Sequence, residues 1–233
     1  MSDPSAEPAP SLLRVTVRRS IVAGRIYLAI GAGVSVLIGS ALSLTAGAGL
    51  SLGFPLLFPV YATVGGIGGL MVFTDDRIKG VLEYLMAYGV SPRRLFVNVL
   101  ISAMVLVSIV LTLSVGTALG LLVGRGLTIP PVLLEVLVVY SIPMTFASVA
   151  FAATVGMFWT SLSSPREGMN SPAGLAPILG VGPPVLTLIA VGLAPADFLT
   201  VLAGAVLAMV VLVTLLVNNV NRLLPRERLL SPA

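Results

Sequence analysis

From Ile26 to Thr74 apolar and small residues run on without one Asp, Glu, Lys or Arg, and the run stops at Asp75-Asp76-Arg77-Ile78-Lys79. As one helix those 49 residues would reach about 73 Å, against about 30 Å of bilayer hydrocarbon. The stretch therefore predicts two crossings. Charge-free intervals at 95–124, 136–165, 168–196 and 198–221 extend the pattern to six helices, at about 26–45, 54–73, 96–122, 136–160, 173–193 and 198–220. Breaks rich in glycine or proline separate them: Thr45-Ala46-Gly47-Ala48-Gly49 with Phe54-Pro55, Arg125-Gly126 with Pro130-Pro131, and Ala194-Pro195-Ala196-Asp197. Pro183-Pro184 in the middle of the fifth helix predicts a kink or a break. The expected fold is all-α, a polytopic membrane protein of six transmembrane helices over 26–221, with a short polar insert at 75–94 between spans two and three.

Two segments outside the spans carry helical periodicity of their own. Over 11–25, Arg14, Arg18 and Arg25 fall within about 40° on a helical wheel, beside a stripe of Leu13, Val17 and Ile21. That pattern fits either a helix lying on the inner leaflet or an ordinary basic flank to the first span. Over 75–88, Ile78, Val81, Leu82, Leu85 and Met86 make one apolar face. Asp75, Lys79 and Glu83 are spaced by four on the other side, where each can pair with the next. Gly89 predicts the C′ stop of this helix, and Ser91-Pro92 the N-cap and first residue of the third span. A helix with these two faces fits an interfacial linker, or a surface resting on the membrane domain and presented to a soluble partner.

Composition agrees with a membrane domain. Charged residues make up 9% and hydrophobic residues 57%, with a mean hydropathy of +1.10, more apolar surface than a soluble fold of this size can bury. The basic residues then set the orientation. Arg14, Arg18, Arg19, Arg25, Arg77, Lys79, Arg93, Arg94, Arg166, Arg222, Arg226 and Arg228 all fall on one side of a six-span arrangement, leaving Arg125 opposite. The positive-inside rule puts that side, and both termini, in the cytoplasm. The net charge of +4 is thus a topological signal, and no nucleic-acid partner is expected. Residues 1–10 are expected to be a disordered cytoplasmic tail and not a cleaved signal, and 222–233 a second cytoplasmic tail. Tyr140 and Trp159, about 28 Å apart along the fourth helix, suit one aromatic at each membrane interface.

The chain contains no cysteine and no histidine, which excludes disulfides, thiolate or imidazole metal ligands and catalysis by a His base or Cys nucleophile. No G-x-x-x-x-G-K-[ST] loop is present, and the one lysine, Lys79, precedes Gly80. The chain is not expected to be an enzyme or to hold a cofactor, and an ATP-driven role needs a partner. Glu135, at the outer edge of the fourth span, reads as an interfacial carboxylate or as a substrate or proton site.

The run Asp75-Asp76-Arg77-Ile78-Lys79-Gly80-Val81-Leu82-Glu83-Tyr84-Leu85-Met86-Ala87-Tyr88-Gly89-Val90-Ser91-Pro92-Arg93-Arg94 resembles the signature of ABC type-2 transporter permeases. In that family a charged stretch after the second span leads into Gly-Thr-Leu-Glu-hydrophobic, and a Pro-Val-Ser-basic turn opens the third span. Gly80, Leu82, Glu83, Val90, Ser91 and Arg93 match position by position. Val81 replaces the usual Thr, Gly89 the frequent Pro, and Asp76 stands where Glu is commoner. The residue match covers about twenty positions, and the likeness in topology nearly the whole chain.

The resemblance implies the membrane-spanning subunit of an exporter, in the cell membrane, whose insert is a coupling helix seated on a separate ATPase subunit. The docking residues it implies are Asp75, Asp76, Arg77, Lys79, Gly80, Glu83, Arg93 and Arg94, with Arg166 and Glu167 of the second cytoplasmic loop as lesser contacts. A second copy or a sister permease would complete the transporter. Stripes of small residues suit such assembly: Gly31, Ser35, Gly39, Ser43 and Gly47, then Gly65 and Gly69, then Gly116, Gly120 and Gly124. They fit helix packing within one chain or a dimer seam. The spans offer Ser, Thr, Asn and small residues, which leans towards a hydrophobic or amphipathic cargo. Two other readings stand beside this one: a haem-exporter-like permease of cytochrome c maturation, and a membrane assembly or scaffold subunit without transport.

Overall fold

The computed structural model describes residues 12–44, 53–65, 72–73, 76, 79–129, 131–162, 176–193 and 198–223. Among these, regular structure is entirely helical, in the order α1 (Leu12–Ala23), α2 (Arg25–Leu44), α3 (Gly53–Gly65), α4 (Val81–Ala87), α5 (Pro92–Gly124), α6 (Pro131–Val136), a π-turn (Leu137–Ser141), α7 (Ile142–Leu162), α8 (Ala176–Leu193), α9 (Phe198–Asn218) and α10 (Val220–Leu223). Among the described residues three helices are long and apolar enough to cross a membrane: Pro92–Gly124, Pro131–Phe158 and Phe198–Asn218. Pro55–Val64 and Leu179–Leu193 are shorter apolar helices. The chain is an all-α protein of membrane type. The expected tail over 1–10, the breaks at 45–49 and 194–197, and Asp75, Arg77, Gly69, Arg166 and Glu167 lie outside the described residues.

The bundle is two groups of helices meeting on α3 and α7. In one group α2 packs on α3 and α5, and α1 lies against α5. In the other, α7, α8 and α9 pack on one another, and α3 bridges across to α7 and α8. The bridge is tight because of one residue. A Cβ built on Gly180 of α8 would overlap Thr63 Cγ2 on α3 and would stand 3.1 Å from Ala152 Cβ on α7, tighter than most carbon contacts. Only glycine fits that crossing.

Side-chain hydroxyls are turned back on their own helices. Ser102, Ser114, Thr154 and Thr187 donate to the carbonyls four residues earlier, at 2.6–2.9 Å, so the groups are satisfied without water. Pro143 has no N–H for the Val139 carbonyl, and the chain widens into the π-turn just ahead of it. Ser141 there donates to the Pro55 carbonyl of α3 and, at 3.3 Å, to the Val136 carbonyl. The helix α8 runs on through Pro183 and Pro184 without a break.

Tyr140 departs from the interfacial role expected of it. It is fully buried among Val136, Met144, Leu202 and Met209, and its hydroxyl donates to the Pro184 carbonyl at 3.5 Å. A phenol inside the bundle needs an acceptor, and a carbonyl beside the two prolines supplies one. Glu135 is exposed at the edge of α6, in keeping with an interfacial carboxylate.

Candidate functional site

The polar insert and its surroundings form one end of the bundle. The helix expected as a single run over 75–88 is broken at Gly80, whose φ is 69°, a left-handed conformation that side chains resist. The resumed helix, α4, covers Val81–Ala87. Lys79 therefore lies in a turn and does not share a helical edge with Glu83.

The end of α4 follows its sequence signals closely. Gly89, at φ 81°, gives its N–H to the Met86 carbonyl, and Val90 gives its own to Leu85, both at 3.1 Å. Those two bonds are the Schellman arrangement, and Leu85 and Val90 pack on the same cluster as its apolar accompaniment. One residue on, the Ser91 hydroxyl accepts from the Arg94 N–H at 3.3 Å and Pro92 opens α5. Two short signals thus set the angle between the insert and a helix of 33 residues.

The two faces of α4 differ completely. Leu82 and Met86 are buried against Leu95, Phe96 and Val99 of α5, Ala153 and Met157 of α7, and Val220 of α10. One small helix thereby shares a core cluster with α5, α7 and the short α10. Outward stand Glu83, Tyr84, Ala87 and Tyr88. The two tyrosines are 62% and 73% exposed, with ring centroids 4.6 Å apart and the Tyr84 hydroxyl donating to that of Tyr88 at 3.1 Å. That hydrogen bond, with a smaller contribution from desolvation, raises the Tyr84 phenol above its ordinary range.

Asp76 is not part of this outward face. It is buried and takes a bidentate pair from Arg19 of α1, with Nη1 to Oδ2 at 3.0 Å and Nη2 to Oδ1. The fork geometry ties the amphipathic helix to the insert across 57 residues of sequence. Arg93 and Arg94 are exposed at the start of α5, as Glu83 is on α4. Gly80 supplies the turn. Of the small-residue stripes, Gly31 is buried in α2, where Ser35 and Gly39 follow it, and Gly65 closes α3. Gly116, Gly120 and Gly124 face outward on α5, and a Cβ on any of them would meet nothing within 4 Å. That stripe is not a packing surface within the described chain.

Three features escaped the sequence reading. Gly180 has Ala176 four residues before it, but its tight partners are Thr63 and Ala152 on other helices, which spacing along α8 does not reveal. The Tyr84–Tyr88 pair is an i, i+4 spacing and was readable. Arg19 left a trace too, since it stands about 100° from Arg18 on the wheel, off the stripe of Arg14, Arg18 and Arg25. Among the described residues no three His, Cys, Asp or Glu side chains gather into a metal-binding group. Comparison with family models, with curated proteins and with solved structures returned no match.

Proposed function

We propose that this chain is the permease subunit of an ABC-type exporter, with α4 as the coupling helix on which a separate ATPase subunit acts. The observation that carries the reading is the division of α4. Leu82 and Met86 root it on the ends of α5, α7 and α10, while Glu83, Tyr84 and Tyr88 remain on the outer face. A push on that outer face is delivered to three helices at once, and the capped turn at Gly89–Ser91 transmits it to α5 without slack. The six-span arrangement with both termini inside belongs to this proposal: α2, α3 and α8 add apolar helices to the three long ones. A second permease copy is expected to complete the translocation path, and the outward Gly116–Gly120–Gly124 ridge is a surface on which backbones can approach closely. Hydroxyls such as those of Ser102, Ser114, Thr154 and Thr187, satisfied within their own helices, lower the polarity of the spans, which favours a hydrophobic or amphipathic cargo.

The test is to purify the full-length chain from its native membrane and measure ATP hydrolysis in the isolated complex. An ATPase that accompanies the chain, and is lost on Glu83→Lys while the chain still inserts, is the expected outcome. ATPase binding and turnover indifferent to Glu83→Lys, or no ATPase at all, would overturn the proposal.

A further inference from the structure

We propose a second site, independent of any ATPase: the groove between α1 and the segment leading into α4 holds one anionic phospholipid from the adjoining leaflet. A cavity of about 350 Å³ there is lined by Arg18, Arg19, Val22, Ala23, Val72 and Lys79. A second, of about 430 Å³, is lined by Leu13, Arg14, Val17, Arg18, Ile21 and Val22. Both fall in the range of ligand sites, about 300–1,000 Å³. They share Arg18 and Val22, so a basic basin opens directly onto an apolar trough.

The order of these surfaces identifies the ligand. Asp76 engages Arg19 through both oxygens, which offsets that guanidinium and fixes its plane. Arg18, Arg19 and Lys79 all line the basin, with Arg18 and Lys79 exposed. A phosphodiester between them meets opposite charge, and the chains below it meet Leu13, Val17 and Ile21. A free phosphate would leave that trough in water, and so would a soluble acidic peptide. Continuity points the same way. Past Gly24 the exposed side of α2 is Ile26, 63% exposed, and Ile30, 51% exposed, a wall suited to acyl chains and not to water. Basic side chains at the end of membrane helices attract anionic lipid in this manner.

The site is testable by native mass spectrometry of the full-length protein released from detergent, titrated with phosphatidylglycerol or with phosphatidylcholine of identical chains. One phosphatidylglycerol per chain should be retained in preference to phosphatidylcholine. The variant Arg18→Gln/Lys79→Gln should bind it about 30-fold more weakly, from the loss of two cations beside an anionic headgroup. Arg222→Gln/Arg226→Gln removes the same charge near the last helix and should leave retention as it was. On the unaltered protein, short-chain phosphatidylglycerol should compete, whereas glycerophosphoglycerol and inorganic phosphate should not, which separates a lipid from a soluble anion without any variant. Equal retention of the two lipids, an unchanged affinity in the Arg18/Lys79 variant, an equal loss in the Arg222/Arg226 variant, or displacement by inorganic phosphate would each overturn the proposal.

Discussion

At the scale of single residues, the tightest constraint in the bundle is Gly180. Thr63, the residue its Cβ would strike, cannot swing aside, because its hydroxyl donates to the Pro59 carbonyl and so fixes the rotamer that aims Cγ2 at α8. Gly180→Ala should therefore cost about 1–3 kcal/mol, the usual range for overpacking, read as a lower midpoint of thermal unfolding in detergent. Thr63→Ser keeps the hydroxyl and deletes the clashing methyl, so the double variant should regain most of the loss. Gly116→Ala, open within the single chain, should be close to neutral or slightly stabilising for the unfolding of the dissociated chain, whatever its effect on a dimer seam. A cost at residue 116 equal to that at residue 180 would contradict the crossing described here. The exposed Tyr84 carries a different prediction. Its phenol donates to Tyr88, and the raised value means that Tyr84 stays neutral as pH climbs past its usual range. The sign follows: the contribution of this bond is complete below the ordinary tyrosine value of about 10 and fades as pH rises through the higher folded value. Spectrophotometric titration of Tyr88→Phe should show one tyrosine returning to the ordinary range.

At the scale of elements, what could be read from the sequence and what could not divide along contact order. The Gly89 stop and the Ser91-Pro92 start lie within a few residues of the groups they satisfy, and the structure realises both as expected. Gly80 was legible as a matching position but not as a break, since a glycine inside an apolar period is compatible with a continuous helix until its φ is known. Tyr140 was misassigned for a related reason. Its position along the fourth helix suits an interface, but it falls on the buried face that Val136, Tyr140 and Met144 share at four-residue spacing. The Arg19–Asp76 pair joins two elements whose proximity no local pattern reveals. Its role can be tested by exchange. Arg19→Ala leaves a buried carboxylate without its fork and should cost about 1–3 kcal/mol, less than for a fully buried pair because the Arg19 side chain is 39% exposed. Hydrogen exchange along α1 should quicken in that variant. Arg19→Asp combined with Asp76→Arg should restore protection if the pair holds α1 to the insert, and should not if α1 is held only by its packing on α5.

At the scale of the whole molecule, an amphipathic helix, an ion pair and the seven-residue α4 with its core cluster lie at one end of the bundle. The opposite end of α5 closes at Arg125 with a second Schellman turn, in which Gly126 donates to Val123 at 2.9 Å and Leu127 to Leu122 at 3.0 Å. At 33 residues α5 is about 50 Å long against about 30 Å of hydrocarbon, so one or both of its ends must emerge from the membrane. Both ends carry arginine. A crossing α5 would present its two ends to opposite sides, which makes the proposed topology a direct measurement. The chain has no cysteine, so a single introduced thiol is read against no background. Glu83→Cys should react with an impermeant maleimide only after the inner face is opened, and Gly126→Cys from the outer face of intact cells. Reversed labelling would invert the orientation drawn from the twelve basic residues and remove α4 from the reach of any cytoplasmic ATPase. Labelling of both thiols from the same side would be incompatible with α5 as a crossing.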